Sequence, residues 1–335
     1  MVVPPLRYLS AADVIAAMPS LEERLRLAEQ TLVALADGSA ELPPKIGVHP
    51  RPPTSFGHAM PAVLRGDDPE GGDDLLGLKW VVGHPANGAV GLPTIHATVV
   101  LNDPGTGVPL AILDGGPITA ARTAAISGVA IRRFAPASGS GGDGARRVAI
   151  LGAGVQGHSH LAVVGHLLQG ASVVVFDRHP ERTEALAEAA RQTDGIAEAV
   201  GAPTAREAVD GAVVVISAVS FGPVRQVMTN EWLGPEALVI PVDYATMCAA
   251  EVAREAALFV VDEVGQFLAN RDAGLFDGYP DPMTTLGAAI LGGVGRPSSG
   301  RVVATHLGTG LADLILGSAI VRTAEAAGLG TLLPR

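Results

Sequence analysis

The chain has 335 residues, a net charge of −11 and 48% apolar residues. That length suits two cores, and the acidic balance argues against nucleic acid or an anionic membrane surface as a partner. Its one cysteine, Cys248, excludes an intramolecular disulfide and fits a reducing, cytoplasmic setting.

The start, MVVPPLRYLS, lacks the basic and apolar pattern of an export signal, and no apolar run is long enough for a membrane span. Residues 11–36 read as helical, divided at Pro19, with Ser20 capping the second piece and Gly38 ending it. Between residues 43 and 113, short apolar runs such as LLGLKWVVG and PTIHATVVLND alternate with Gly, Pro and Asn. These predict antiparallel strands, with NDPGTG as a hairpin turn. A helix is expected over 119–134, with Thr119 as its N-cap. The stretch PASGSGGDGA (136–145) then reads as a linker. From 148 to 262 strands and helices alternate, the pattern of a parallel sheet covered by helices. Residues 267–300 look irregular. A last, mostly apolar helix over 310–327 needs burial, on the first domain or at a subunit interface.

The strongest motif lies at 148–177. The strand VAILG runs into Gly152-x-Gly154-x-x-Gly157, and a second strand, VVVFD, ends in Asp177. This is a dinucleotide-binding βαβ pattern. Gly152 allows the turn, Gly154 admits a pyrophosphate, and Gly157 lets the helix pack on the strand, with the helix N-terminus facing the phosphates. Asp177, twenty residues after Gly157, suits an adenosine ribose and favours NAD over NADP; the adjacent Arg178 blunts that preference.

Four other charged residues stand where charge is awkward. Lys79 sits in LLGLKWVVG with no carboxylate within four residues. It either needs an anion or is an edge lysine reaching water. Arg122, three residues after Thr119, falls in the first turn of the expected helix. There a cation is opposed by about 0.3–1 kcal/mol unless an anion binds. Lys45, in ELPPKIGVHP, reads as a solvated loop cation. Asp243 ends the strand ALVIPVD, where a carboxylate either faces a ligand or caps the next segment. The histidines form no metal-ligand pattern, and no metal is expected.

Together these residues resemble the ornithine cyclodeaminase/mu-crystallin family over almost the whole chain. The matching blocks are LGLKWVVGHPANGAVGLPT, LDGGPITAARTAAISGVAI, LGAGVQG and PVDYA. The resemblance implies an α/β fold: a Rossmann NAD(P)-binding domain (145–305) inserted into an α+β substrate-binding and dimerisation domain (1–135 with 306–335). It implies a homodimer, an NAD cofactor with NADP as the alternative, and an amino or imino acid substrate. Lys45, Lys79 and Arg122 would hold the substrate carboxylate, and Asp243 would be the catalytic acid–base, with Lys79 beside it in catalysis. Thr94, Arg122, Gly154, Val155, Gln156, Ser220 and His306 would adjoin the cofactor.

The implied chemistry is hydride transfer at the C–N bond, as in an amino acid dehydrogenase or ketimine reductase. The alternatives are a cyclodeaminase releasing ammonia from a diamino acid, and a non-catalytic NAD(P)H-binding protein. This sequence departs from the ornithine pattern. His58 falls where a glutamate would hold a side-chain amine, Met247 where a lysine often stands, and His306 where a serine is usual.

Overall fold

The computed structural model describes residues 3–66, 68, 71–137, 146–220, 222 and 224–335. It comprises two compact units, 1–122 with 308–335, and 123–307. The second is thus an insertion in the first. The division falls inside one helix, between Arg122 and Thr123. Of the expected linker, residues 138–145 lie outside the described residues.

Unit one begins with β1 (Leu6–Leu9), α1 (Ala11–Ala16) and α2 (Leu21–Asp37). Ser20 caps α2 by accepting from Glu23 N, and Gly38 closes it at φ 83. There follow β2 (Ala40–Glu41), β3 (Ile46–Val48), β4 (Phe56–Leu64), β5 (Leu75–Gly83), β6 (Ile95–Asn102) and β7 (Pro109–Asp114). Strands β4 to β7 form an antiparallel meander, and β1 joins β7 in parallel. Alternation assigns each face. On one face Met60, Lys79, Val99, Leu113 and Leu9 form a single cross-strand row, every member buried. The other face carries the row Pro61, Leu78, Val100, Ile112 and Tyr8.

Helix α3 (Gly115–Phe134) carries the chain out of unit one. It starts earlier than its sequence suggests. The Asp114 carboxylate accepts from Gly116 N at 2.9 Å, and Pro117 sits in the first turn, where its missing N–H has no partner to lose. Thr119 is therefore not the N-cap. Arg122 lies about two turns in, so the dipole cost expected for it does not apply.

Unit two contains β8 (Arg147–Leu151), α4 (Val155–Leu167), β9 (Ala171–Phe176), α5 (Pro180–Arg191), β10 (Ile196–Gly201), α6 (Ala205–Val209), β11 (Val214–Ser217), β12 (Leu238–Pro241), α7 (Ala250–Arg254), β13 (Leu258–Val261), α8 (Val264–Asp272), β14 (Thr284–Thr285), α9 (Leu286–Leu291) and β15 (Val302–Thr305). Its sheet is wholly parallel, in the order β10-β9-β8-β11-β12-β15-β13-β14. The central strands VVIS, LVIP, LFVV and VVAT are buried throughout, as a sheet covered on both faces requires. The order reverses between β8 and β11, the switch point of a doubly wound Rossmann fold. The stretch 267–300, expected to be irregular, holds most of α8 and all of β14 and α9. Glu263 and Thr285 cap the two helices, which are too short to show a clear period in the sequence.

The chain then returns to unit one as α10 (Gly310–Ala326) and β16 (Thr331–Leu333), which pairs with β1. Helix α10 packs on β4, β5, β6 and α2, so its apolar surface is buried within unit one. The approach is close: a Cβ on Gly310 would stand 2.5 Å from the Met60 carbonyl oxygen. Gly310→Ala should therefore cost about 1–3 kcal/mol of stability. Urea denaturation checks this, and an unchanged midpoint would remove the contact from the account.

Candidate active site

In unit one the key residue is Lys79. Strand β5 lies between β4 and β6, so Lys79 is not an edge lysine. It is 1% exposed, between its cross-strand neighbours Met60 and Val99. An ammonium there needs a counter-charge, and α10 supplies one. Lys79 Nζ stands 2.6 Å from Asp313 Oδ2, and Arg122 Nε donates to Asp313 Oδ1 at 3.3 Å. Asp313 itself is fully buried in the first turn of α10, the end that favours an anion. Burial, and then the neighbouring Arg122, push the Lys79 pKa down to about 7, while Asp313 pulls it back up.

One carboxylate thus faces two buried cations. Lys45, half-buried ahead of β3, adds a third positive charge close enough to lower the pKa of both Lys79 and His58. His58, on β4, stacks on Phe56 at 4.6 Å. Burial first, then Lys45 and His49, hold its pKa down at about 4, so it is neutral near pH 7. The structure therefore couples Lys45, His58, Lys79 and Arg122. Thr94 is exposed on the loop before β6, where its carbonyl accepts from His84 N at 2.8 Å.

In unit two the other sequence-selected residues follow the carboxyl ends of parallel strands, the ligand-binding edge of such a sheet. Gly152 follows β8, Asp177 follows β9, Ser220 follows β11, Asp243 follows β12 and His306 follows β15. Gly152 turns at φ +101, and a Cβ on Gly157 would meet the Gly152 oxygen at 2.2 Å, whereas the space beside Gly154 is open. No side chain caps α4 at Gly154, so first-turn N–H groups, including those of Val155 and Gln156, are left to a ligand. A cavity of about 450 Å³, lined by Ala153, Gly154, Val155, His158, Arg182 and Ala185, adjoins this loop. These features fit a dinucleotide pyrophosphate. Asp177 also anchors the loop, accepting from Ala153 N at 2.8 Å and His179 N at 2.9 Å. Arg178 and Ser220 are exposed.

Asp243 is 2% exposed. Its Oδ1 accepts from Thr246 N at 3.2 Å and Met247 N at 3.4 Å, so it caps a turn rather than a helix. Oδ2 is buried and makes no well-formed hydrogen bond among the described residues. Burial pushes the carboxyl up to about 7, with the Ser217 hydroxyl pulling the other way. The turn is strained: Tyr244 and Ala245 have φ of 53° and 58°, which costs about 1–3 kcal/mol each. Tyr244 Oη donates to the Leu307 carbonyl at 2.9 Å, and Thr305 Oγ1 to that of Pro241 at 2.8 Å. The Asp243 turn and the end of β15 are thus held to each other.

The sequence profile of the ornithine cyclodeaminase/mu-crystallin family matches residues 8–303. The chain belongs to this family. Relatives match it over nearly its whole length. The nodulation efficiency protein NfeD of Rhizobium meliloti is 33% identical over 335 residues, 98% of either chain. The Δ1-pyrroline-2-carboxylate reductase of Thermococcus litoralis, solved with NADH and L-proline, superposes with a TM-score of 0.82 at 26% identity, over 98% of this chain and 100% of that one. The iminosuccinate reductase of Paracoccus denitrificans, solved with NAD⁺, gives 0.80 at 25% identity, over 99% and 100%.

Asp313 is the residue the sequence reading overlooks. Its signal is an acid inside the apolar run GLADLILGSAI. As the shared partner of two cations it carries more than either. Asp313→Asn should cost about 3–5 kcal/mol, the range for stranding buried charge, and Lys79→Met less, since Arg122 still faces Asp313. Denaturant midpoints decide, and the reverse order would contradict the shared arrangement.

Proposed function

We propose that this chain is an NAD-dependent oxidoreductase acting at the C–N bond of an α-amino or α-imino acid. The observation that carries the reading is the buried surplus of positive charge in unit one. Lys79 and Arg122 share a single carboxylate, Asp313, with Lys45 nearby. A substrate carboxylate would balance that surplus, and Arg122 would grip it with a planar fork. The uncapped start of α4 and the adjoining cavity suit the pyrophosphate of NAD, with Asp177 beside the ribose. Bound NAD supplies or accepts the hydride.

Asp243 then handles the proton. In the oxidative direction it takes the proton from the substrate nitrogen as the amine becomes an imine; in the reductive direction it returns it. A carboxyl pushed up to about 7 suits both tasks near neutral pH. The sign follows. Below that pH Asp243 is protonated and serves reduction; above it the group is ionised and serves oxidation. The neutral His58 offers no counter-charge to a distal ammonium, which argues against ornithine or lysine as substrate.

The outer face of the unit-one sheet, where Trp80 is 40% and Tyr8 42% exposed, supports a homodimer formed through that face. No helix among the described residues is long and apolar enough to cross a membrane.

The test is a scan of NADH oxidation with cyclic imines, and with α-keto acids plus amines, alongside NAD⁺ reduction with amino acids. A turned-over substrate in the redox scan is expected. Ammonia release from a diamino acid without net NADH would instead favour a cyclodeaminase. With the active substrate, Asp243→Asn should lower kcat by about 10²–10⁴ and remove the part of the pH dependence near 7 that Lys79→Met leaves in place; unchanged turnover would leave a binding protein. Arg122→Lys should raise KM and lower kcat together, and an unchanged kcat/KM would remove Arg122 from the site.

A further inference from the structure

Three buried polar side chains of unit two form a hydrogen-bonded chain. Ser127, on α3, is fully buried. Its Oγ lies 2.8 Å from His160 Nε2 and 2.8 Å from His306 Nε2. His160, on α4, is also fully buried, and its Nδ1 lies 2.6 Å from the carbonyl oxygen of Gln156. His306, just after β15, is 1% exposed.

The proton positions follow by counting. A carbonyl oxygen only accepts, so His160 Nδ1 carries a proton and donates to it. Burial holds His160 neutral, its pKa pushed down to about 4, so its Nε2 bears a lone pair. Ser127 has one hydroxyl proton, and it goes to that lone pair. The Ser127 oxygen can then only accept from His306, whose Nε2 must be the protonated nitrogen. The chain runs one way, from His306 through Ser127 and His160 to Gln156, in the first turn of α4. With Nε2 carrying the proton, the uncharged form of the His306 ring presents Nδ1 as an acceptor.

Position suggests what such an acceptor would read. In sheet order β9 and β8 carry Asp177 and the glycine-rich loop, and β15 lies beyond β11 and β12. A dinucleotide with its adenosine at Asp177 and its pyrophosphate on the loop has its nicotinamide half on the β15 side of the switch point. The donor at that end is the carboxamide NH2. We propose that Ser127 and His160 are positioning residues that lock His306 as its Nε2–H tautomer, so that Nδ1 accepts a hydrogen bond from the nicotinamide carboxamide. The proposal rests on the NAD reading above.

The first test needs no ligand. Nitrogen-15 spectra of histidine-labelled protein, with signals assigned through His160→Asn and His306→Asn, should show His306 protonated at Nε2 and His160 at Nδ1. Protonation of His306 at Nδ1 alone would overturn the lock. The second compares the affinities of NADH, ADP-ribose and the reduced 3-acetylpyridine analogue, which has no carboxamide N–H. Ser127→Ala should weaken NADH about tenfold, the worth of one hydrogen bond, and leave ADP-ribose and the analogue unchanged. Equal weakening of NADH and the analogue would overturn the proposal, with unchanged ADP-ribose binding showing that the variant is folded. No ADP-ribose binding by the unaltered protein would overturn the dinucleotide reading itself, and the carboxamide contact with it.

Discussion

A carboxylate placed between two buried cations organises the first unit. Lys79 stands in the most buried row of an apolar sheet face, a site that rejects charge. Asp313 makes that charge tolerable, and its position in the first turn of α10 makes its own charge tolerable in turn. The helix must come close to bring the carboxylate there, which is why Gly310 lies against the Met60 backbone. Fold and chemistry therefore share one constraint. The packing that seats α10 also leaves Lys79 and Arg122 with less negative charge than they need.

The second unit solves a different problem. Its central strands are buried on both faces and mostly apolar, so the polar groups of the candidate site are held just past a strand's carboxyl end. The fixing differs from one group to the next. Asp177 is tied to the glycine-rich loop, Asp243 is set in a strained turn, and His306 is bound through Ser127 to α4. A buried acid with a raised pKa costs stability, as does a backbone forced to positive φ. Both occur in one five-residue stretch, 243–247, where a proton carrier would be wanted.

The sequence is informative wherever a local rule acts alone. The glycine spacing, the Ser20 cap, the hairpin at 102–107 and the apolarity of α10 each come from short-range chemistry, and the elements stand where that chemistry puts them. Reading fails where a distant residue decides. Thr119 looks like a cap only if Asp114 is assigned wholly to the preceding strand. Lys79 looks unpartnered because its partner is more than two hundred residues away in sequence, and Ser127 looks like one small residue among many in an apolar helix. The family resemblance supplies roles for Lys79, Arg122 and Asp243, but it does not supply Asp313 or the His160–Ser127–His306 chain. Those come from packing.

The central claim is that the cation cluster of unit one is a carboxylate site. The most direct measurement is calorimetric binding of pyrrole-2-carboxylate and of pyrrole-2-carboxamide to the NADH-loaded protein. The two differ only in the charged group. The account predicts that the acid binds at least about tenfold more tightly, the scale of a charge-assisted hydrogen bond, and that Arg122→Ala abolishes the difference. Equal affinity for acid and amide in the unaltered protein would contradict it.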